Sequence, residues 1–303
     1  MSDRHSGARI KSGLVLGGGG ARGLAHVGVL QVLEREGYPI DVIAGTSMGA
    51  LIGCMYGVFG SSAGLLGVIE QGAAVSATGW SRAPRAEMFE SRHFRRWLGG
   101  LFAGRTFADL RWPTGVTAVD IDTAEEFALT QGPVAPAVWA ATAIPGVYAP
   151  VEINGRRLVD GGVLNPVPVD LAKRLGASVT IAVDVLPESD RPTTRMPQGY
   201  RSAMMYKLPA TMELLSKAFD IVLAVQRDNR LRECPPDLLI TPNLRGVGSF
   251  AYHRAQEVVE IGVAAAEAVL PQIRLLRDQL LEGRAQPENG HRKAPLPAGE
   301  RVV

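Results

Sequence analysis

The sequence predicts an α/β protein with parallel strands and helices packed on the sheet. Two observations carry this. Two short apolar runs, Ser12–Leu16 and Ile40–Ala44, are each followed by a glycine-bearing loop and then by a helical pattern. That β-loop-α-β-loop-α order favours parallel strands joined by helical crossovers. The second is size: 303 residues, 46% of them apolar, can bury a full-sized core.

The elements follow in order. Residues 1–11 are polar and mixed in charge and are expected to form a disordered lead. Leu24–Glu36 places Val27, Leu30 and Leu33 at helical spacing, and Gly37 ends that helix. After the second strand, a helix is expected from about Met48 to Phe59. The stretch 60–105 is less regular. Gly115–Ile121 is a strand, paired with Glu126–Thr130, and Val134–Ala143 is a helix ending before Pro145. Gly155 marks a turn between Val151–Ile153 and Arg157–Val159, a hairpin. Val167–Leu175 is a helix stopped at Gly176, and Val179–Val185 is a β-branched strand. A long loop spans Pro187–Pro209, followed by a helix from about Ala210 to Arg232 and a short strand at Leu238–Ile240. Ala255–Leu281 is a helix or a pair of helices interrupted near Pro271. Residues 12–282 are expected to form one domain, and 283–303 a polar, Pro/Gly-rich disordered tail.

Composition excludes several classes. A formal net charge of +2 carries no nucleic-acid footprint. Cys54 and Cys234 fit neither a disulfide framework nor a metal pattern, which favours a reducing compartment. No secretory signal is expected at the N-terminus, and no run approaches the roughly 20 apolar residues of a membrane span. The expectation is a soluble, cytoplasmic protein, compatible with peripheral contact at the inner membrane surface.

The chemistry concentrates in two loops. Gly17-Gly18-Gly19-Gly20-Ala21-Arg22-Gly23 follows the first strand, and its N–H groups can converge on an anion. Gly18, Gly20 and Gly23 also satisfy a dinucleotide fingerprint, but the acidic residue required at the end of the second strand is missing. A phosphate-binding P-loop fails because no Lys-Ser or Lys-Thr follows Gly23. The alternative is an oxyanion hole built from Gly18, Gly19 and Gly20. Arg22 sits where it opposes the helix dipole, which suits an anchor for the loop or a contact to an anionic substrate.

The second loop, Gly45-Thr46-Ser47-Met48-Gly49, has the G-x-S-x-G form of a nucleophile elbow. Ser47 then needs a base. His253 would give the chain order Ser47, Asp160, His253 of a hydrolase triad. Asp160, in Val159-Asp160-Gly161-Gly162, could instead act on the serine directly, with Asp120, Asp122 and Asp184 as rival carboxylates. His26 suits bracing of the glycine loop.

These residues resemble the patatin-like phospholipases, in particular a bacterial branch similar to the catalytic domain of neuropathy target esterase. Gly17–Gly23 resembles the family's oxyanion motif, Gly45–Gly49 its elbow, and Asp160-Gly161-Gly162 its aspartate motif. Ala140–Val151 is similar to the proline-containing stretch that precedes the aspartate. The resemblance implies a three-layer α/β/α fold and a Ser47–Asp160 dyad without a catalytic histidine, metal or cofactor. It also implies an acyl lipid as substrate, of phospholipid or lysophospholipid type. A non-lipid carboxylesterase or thioesterase, or a catalytically silent binding protein on the same fold, would carry similar motifs. Two segments are candidates for the lipid side. Met88–Phe102 mixes aromatic residues with Arg92, Arg95 and Arg96, as an amphipathic membrane helix does and as a helix packed on a core also does. The Met-rich loop Arg195–Leu208 suits a lid.

Overall fold

The computed structural model describes residues 9–71, 92–186 and 210–285. The strands are β1 (Ser12–Leu16), β2 (Val42–Gly45), β3 (Thr114–Asp120), β4 (Glu125–Leu129), β5 (Val151–Ile153), β6 (Arg156–Asp160), β7 (Val179–Val183) and β8 (Leu238–Ile240). They form a single sheet in the order β5-β6-β3-β2-β1-β7-β8, with β4 also paired to β3. From β3 to β8 the neighbours on this path are parallel, while β4 and β6 run antiparallel to β3.

Helices lying wholly within the described residues of the first half include α1 (Ala25–Arg35), α2 (Met48–Phe59), α3 (Arg92–Phe102) and α4 (Val134–Ala141). The later ones are the short α5 (Val169–Arg174), then α6 (Ala210–Glu233), α7 (Ala255–Ala268) and α8 (Leu270–Ala285). Strand side chains alternate between two faces. Leu14, Leu16, Ile43, Val116, Ile181 and Val183 join the larger core with α1, α2, α4 and α7. Val15, Val42, Ala44 and Ala182 join the smaller one with Val169, Leu171 and Ala172 of α5. Helices therefore cover both faces, which is why the central strands read as apolar runs without polar alternation.

Close helix contact on the larger face depends on two glycines. A Cβ at Gly28 of α1 would lie 2.1 Å from the Val259 carbonyl of α7, and one at Gly262 would lie 2.1 Å from the Ala25 carbonyl. Any side chain at either position forces the two backbones apart.

The register of β3 positions the site. β4 occupies one side of β3 from Val116 to Asp120. On the other side β2 pairs only as far as Gly45↔Val116, and β6 takes over at Ala118↔Asp160. β2 and β6 thus lie end to end along one edge of β3, running towards each other. Their C-termini meet, and those C-termini carry the elbow and the aspartate. The β5–β6 hairpin that returns β6 to this edge turns at Asn154 and Gly155, both with positive φ, as a tight hairpin turn requires.

The last helical segment is a pair of helices broken at Val269, beside the interruption expected near Pro271; Pro271 itself sits in the first turn of α8, where a missing N–H costs nothing. That helix continues to Ala285, past the boundary expected at 282. In α3, Leu98 and Phe102 are buried, Phe94, Trp97 and Leu101 pack on the core, and Arg95 and Arg96 are exposed. Core packing therefore accounts for its amphipathic pattern. Residues 72–91 and the expected lid loop at 187–209 lie outside the described residues.

Candidate active site

Ser47 sits between β2 and α2 with φ 53° and ψ −121°. A non-glycine residue there is strained by about 1–3 kcal/mol, and such strain persists only where the surroundings hold it. The surroundings are tight. A Cβ at Gly49 would lie 2.0 Å from the Leu16 carbonyl, so only glycine lets α2 start this close to the end of β1. The elbow is further tied by the Thr46 N–H to the Leu16 carbonyl at 3.1 Å and the Gly49 N–H to the Thr46 carbonyl at 2.8 Å.

The Ser47 hydroxyl donates to Asp160 Oδ2 at 2.6 Å. Asp160 is fully buried, and its Oδ1 accepts from the Gly162 N–H at 2.8 Å. Burial raises its pKa from the ordinary carboxylate range to about 7, against the opposing pull of the Ser47 and Gly162 hydrogen bonds. Ser47 itself is 6% exposed, so the pair is screened from bulk water.

The rival groups are engaged elsewhere. Asp120 pairs with Arg156 at 3.1 Å, Asp122 with Arg157, and Asp184 with the buried Arg227 at 3.3 Å. His253 is exposed in a 3-10 turn ahead of α7. His26 is buried and its ring Nε2 meets the Gly17 carbonyl at 2.8 Å. Burial lowers its pKa to about 4, so the ring is neutral at pH 7 and the Nε2–H donates to the loop.

The glycine loop borders the serine directly. A Cβ at Gly18 would lie 3.2 Å from Ser47 Cβ. The Gly18 N–H donates to the Pro166 carbonyl at 2.9 Å, and the Gly17 N–H to the Val183 carbonyl at 3.0 Å. The N–H groups of Gly19 and Gly20 make no hydrogen bond among the described residues, and both residues line the cleft that opens beside Ser47. Of the three expected donors, Gly18 is therefore committed to holding the loop, because its hydrogen is spent on Pro166.

Arg22 is 6% exposed, and each guanidinium nitrogen has a partner. Nε donates to the Val247 carbonyl at 2.8 Å, and the two terminal nitrogens donate to the Asp220 carboxylate of α6 at 3.2 and 3.1 Å. Ser249 Oγ also donates to Asp220, at 3.0 Å. The other walls of the cleft include Ile144, Val147, Phe219, Leu223 and Phe250, all apolar. α6 thus lies against the site, with Asp220 clamped to the loop and Leu223 against Gly162. The sequence carried no signal for Asp220: a lone aspartate in a helix acquires a role only when tertiary packing brings Arg22 to it. Among the described residues no cluster of His, Cys, Asp or Glu could hold a metal ion.

Fold and site together define an α/β protein whose elbow serine is hydrogen-bonded to a buried carboxylate beside a glycine loop. The patatin-like phospholipase model matches residues 14–173, more than half the chain, and the protein belongs to that family. The chain is 28% identical over 281 residues to lysophospholipase nte1 of Aspergillus fumigatus, covering 86% of this chain and 18% of that protein. It is 38% identical over 184 residues to the patatin-like phospholipase domain-containing protein ZK370.4 of Caenorhabditis elegans, covering 57% of this chain and 13% of that one. The chain thus spans less than a fifth of the length of these relatives. Among solved structures, VipD from Legionella pneumophila aligns with a TM-score of 0.46 at 15% identity, over 89% of this chain and 67% of that one.

Proposed function

We propose that this protein hydrolyses acyl esters of lysophospholipid or phospholipid type, with Ser47 as nucleophile and Asp160 as its base. The observation that carries this reading is the 2.6 Å hydrogen bond from a strained, buried elbow serine to a buried carboxylate. As the Ser47 oxygen attacks the ester carbonyl, its proton passes to Asp160 Oδ2. The carbonyl π electrons move to oxygen, and the N–H groups of Gly19 and Gly20 receive that oxyanion. Collapse breaks the ester C–O bond, and Asp160 returns the proton to the departing alcohol, leaving an acyl-serine. A water then attacks the acyl carbon as it gives a proton to Asp160; collapse breaks the acyl–Ser47 bond, and Asp160 passes that proton to the Ser47 oxygen as the fatty acid leaves.

Burial answers the objection that an aspartate is a poor base. An ordinary carboxylate near pKa 4 has little affinity for a proton at pH 7, whereas one near 7 is matched to the task. Arg22 acts as the loop anchor: each of its three nitrogens already donates a hydrogen bond, and diverting it to a substrate anion would cost Asp220 its ion pair. The apolar cleft walls and the lysophospholipase names of the relatives support an acyl lipid over a polar ester.

The test is reaction with a fluorophosphonate probe, read by intact mass on the wild type and Ser47→Ala, followed by turnover of lysophosphatidylcholine. One adduct on the wild type alone and release of fatty acid support the proposal. No adduct on folded wild type would favour a silent binding protein. An adduct together with turnover of p-nitrophenyl or thioester substrates but not of lysophosphatidylcholine would reassign the substrate.

A further inference from the structure

Beneath the elbow lies a buried hydroxyl chain that touches neither Ser47 Oγ nor the Asp160 carboxylate. Thr46, fully buried, places Oγ1 at 2.7 Å from the backbone carbonyl of Asn165 and at 2.7 Å from Thr117 Oγ1. A carbonyl only accepts, so the Thr46 hydrogen goes to Asn165. Thr117, also fully buried, must then donate to Thr46. The direction of the chain is therefore determined: Thr117 O–H to Thr46 O–H to the Asn165 carbonyl.

Each member belongs to a different piece of the site. Thr46 is the residue before Ser47, and its methyl also flanks the loop: a Cβ at Gly18 would lie 3.4 Å from Thr46 Cγ2. Thr117 sits on β3 one residue before Ala118, the pairing partner of Asp160. Gly161, next to Asp160, packs against Thr117 so closely that a Cβ there would lie 2.1 Å from its hydroxyl oxygen. Asn165 closes the turn after Asp160, its N–H donating to the Gly161 carbonyl at 2.9 Å. Its side chain is fully buried, and Nδ2 donates to Glu126 at 2.9 Å and Asp170 at 2.8 Å. Arg230 of α6 holds the same corner, donating to Glu126 at 2.6 Å and to the Leu164 carbonyl at 3.0 Å.

The nucleophile and its base come from strands that meet end to end and are not hydrogen-bonded to each other. Sheet pairing relates them only indirectly, through their registers on β3, with no direct tie between the two C-termini. We propose that Thr46 and Thr117, anchored on Asn165, are positioning residues that set the Ser47–Asp160 distance by tying the elbow to the turn that follows the aspartate. The inference rests on the acyl-transfer reading above.

A single hydroxyl can be removed with almost no change of shape by Thr46→Val, which deletes the donor to Asn165 and the acceptor for Thr117. Thr46→Ser keeps the hydroxyl and is the rescue variant. The readouts are kcat and KM on p-nitrophenyl butyrate and the pH dependence of fluorophosphonate labelling. A displacement of about 1 Å at reacting atoms costs up to about 100-fold, so kcat in Thr46→Val is expected to fall about 10- to 100-fold with KM little changed. Thr46→Ser should remain within about threefold of wild type.

The pH profile separates positioning from mere support. The hydrogen bond from Ser47 lowers the Asp160 pKa, so loosening it raises that pKa. The acid limb of labelling in Thr46→Val should move to higher pH. Thr117→Val breaks the same chain from its other end and serves if Thr46→Val fails to fold. The two together should cost little more than either alone, because both delete one connected unit. A folded Thr46→Val, or in its place Thr117→Val, with wild-type kcat and an unmoved acid limb overturns the proposal. So does equal loss in Thr46→Ser and Thr46→Val. Activity surviving in Ser47→Ala would instead overturn the acyl-transfer reading, independently of any result at Thr46.

Discussion

Asp160→Asn separates catalysis from stability in opposite directions. The carboxylate is fully buried, and its pKa is raised from 3.8 to about 7. For an acid whose folded pKa lies above its unfolded value, stability is fully present below the unfolded value. It is lost as pH rises through the folded one. Between pH 3.8 and about 7 the unfolded chain is ionised while the folded carboxyl stays protonated, so each pH unit removes about 1.4 kcal/mol. Above pH 7 the folded state carries a penalty of about 4 kcal/mol on this account, an upper bound because the Asn amide reproduces the Gly162 contact imperfectly. Asn is neutral at every pH and of similar shape. It can still accept from the Gly162 N–H, but it has no basic lone pair to take the Ser47 proton.

The expected result is therefore an inactive and more stable protein. Turnover of a p-nitrophenyl ester should fall at least about 10²- to 10⁴-fold, the range that general acid–base catalysis contributes. In urea unfolding at pH 8 the variant should gain about 1–4 kcal/mol, and that gain should shrink towards zero by pH 4–5, where Asp160 is protonated in the fold. Turnover within a factor of ten of wild type would show that Asp160 is not the base. A variant less stable than wild type at pH 8 would show that the carboxylate is not held under a desolvation penalty.

Three further outcomes are expected. The acid limb of kcat/KM should fall near pH 7, because Asp160 must be ionised to accept the serine proton, and a limb near pH 4 would place the base elsewhere. Arg22→Ala should destabilise the fold by about 2–4 kcal/mol in urea titration, since it leaves the half-buried Asp220 with only the Ser249 hydroxyl among the described residues and frees the Val247 carbonyl; a change below about 0.5 kcal/mol would remove the anchor role. His253→Ala should leave kcat within a factor of two, the side chain being exposed and Ser47 bonded to Asp160; a loss of several thousandfold in a folded variant would restore a triad.

Ser12–Leu16, Val42–Gly45 and Val179–Val183 were readable as strands because a strand covered on both faces must be apolar throughout. The elbow was readable because one of its glycines is demanded by a contact only a few residues away in chain: a Cβ at Gly45 would lie 2.6 Å from the Gly49 carbonyl, across one β-turn-α unit. α3 was ambiguous, since aromatic and basic residues at helical spacing describe a membrane helix and a core-packed one equally well. The base was not determined by pattern: the two glycines after Asp160 set it apart from Asp120, Asp122 and Asp184, but His253 stayed open until the resemblance to a known family favoured a Ser47–Asp160 dyad.

Local order and the apolar periods follow from short-range sterics and burial, which act within a few residues and leave their mark in the sequence itself. The meeting of β2 and β6 along one edge of β3 spans 113 residues between Ser47 and Asp160. What depends on it is equally long-range: the 2.6 Å hydrogen bond, the raised carboxylate pKa, and the Thr117–Thr46–Asn165 chain, whose links span 71 and 119 residues. The Arg22–Asp220 clamp spans 198 residues, and nothing near Asp220 in the chain announces it. Hydrogen bonds and desolvation depend on distance and burial in space, and only the folded sheet brings these groups within reach of one another.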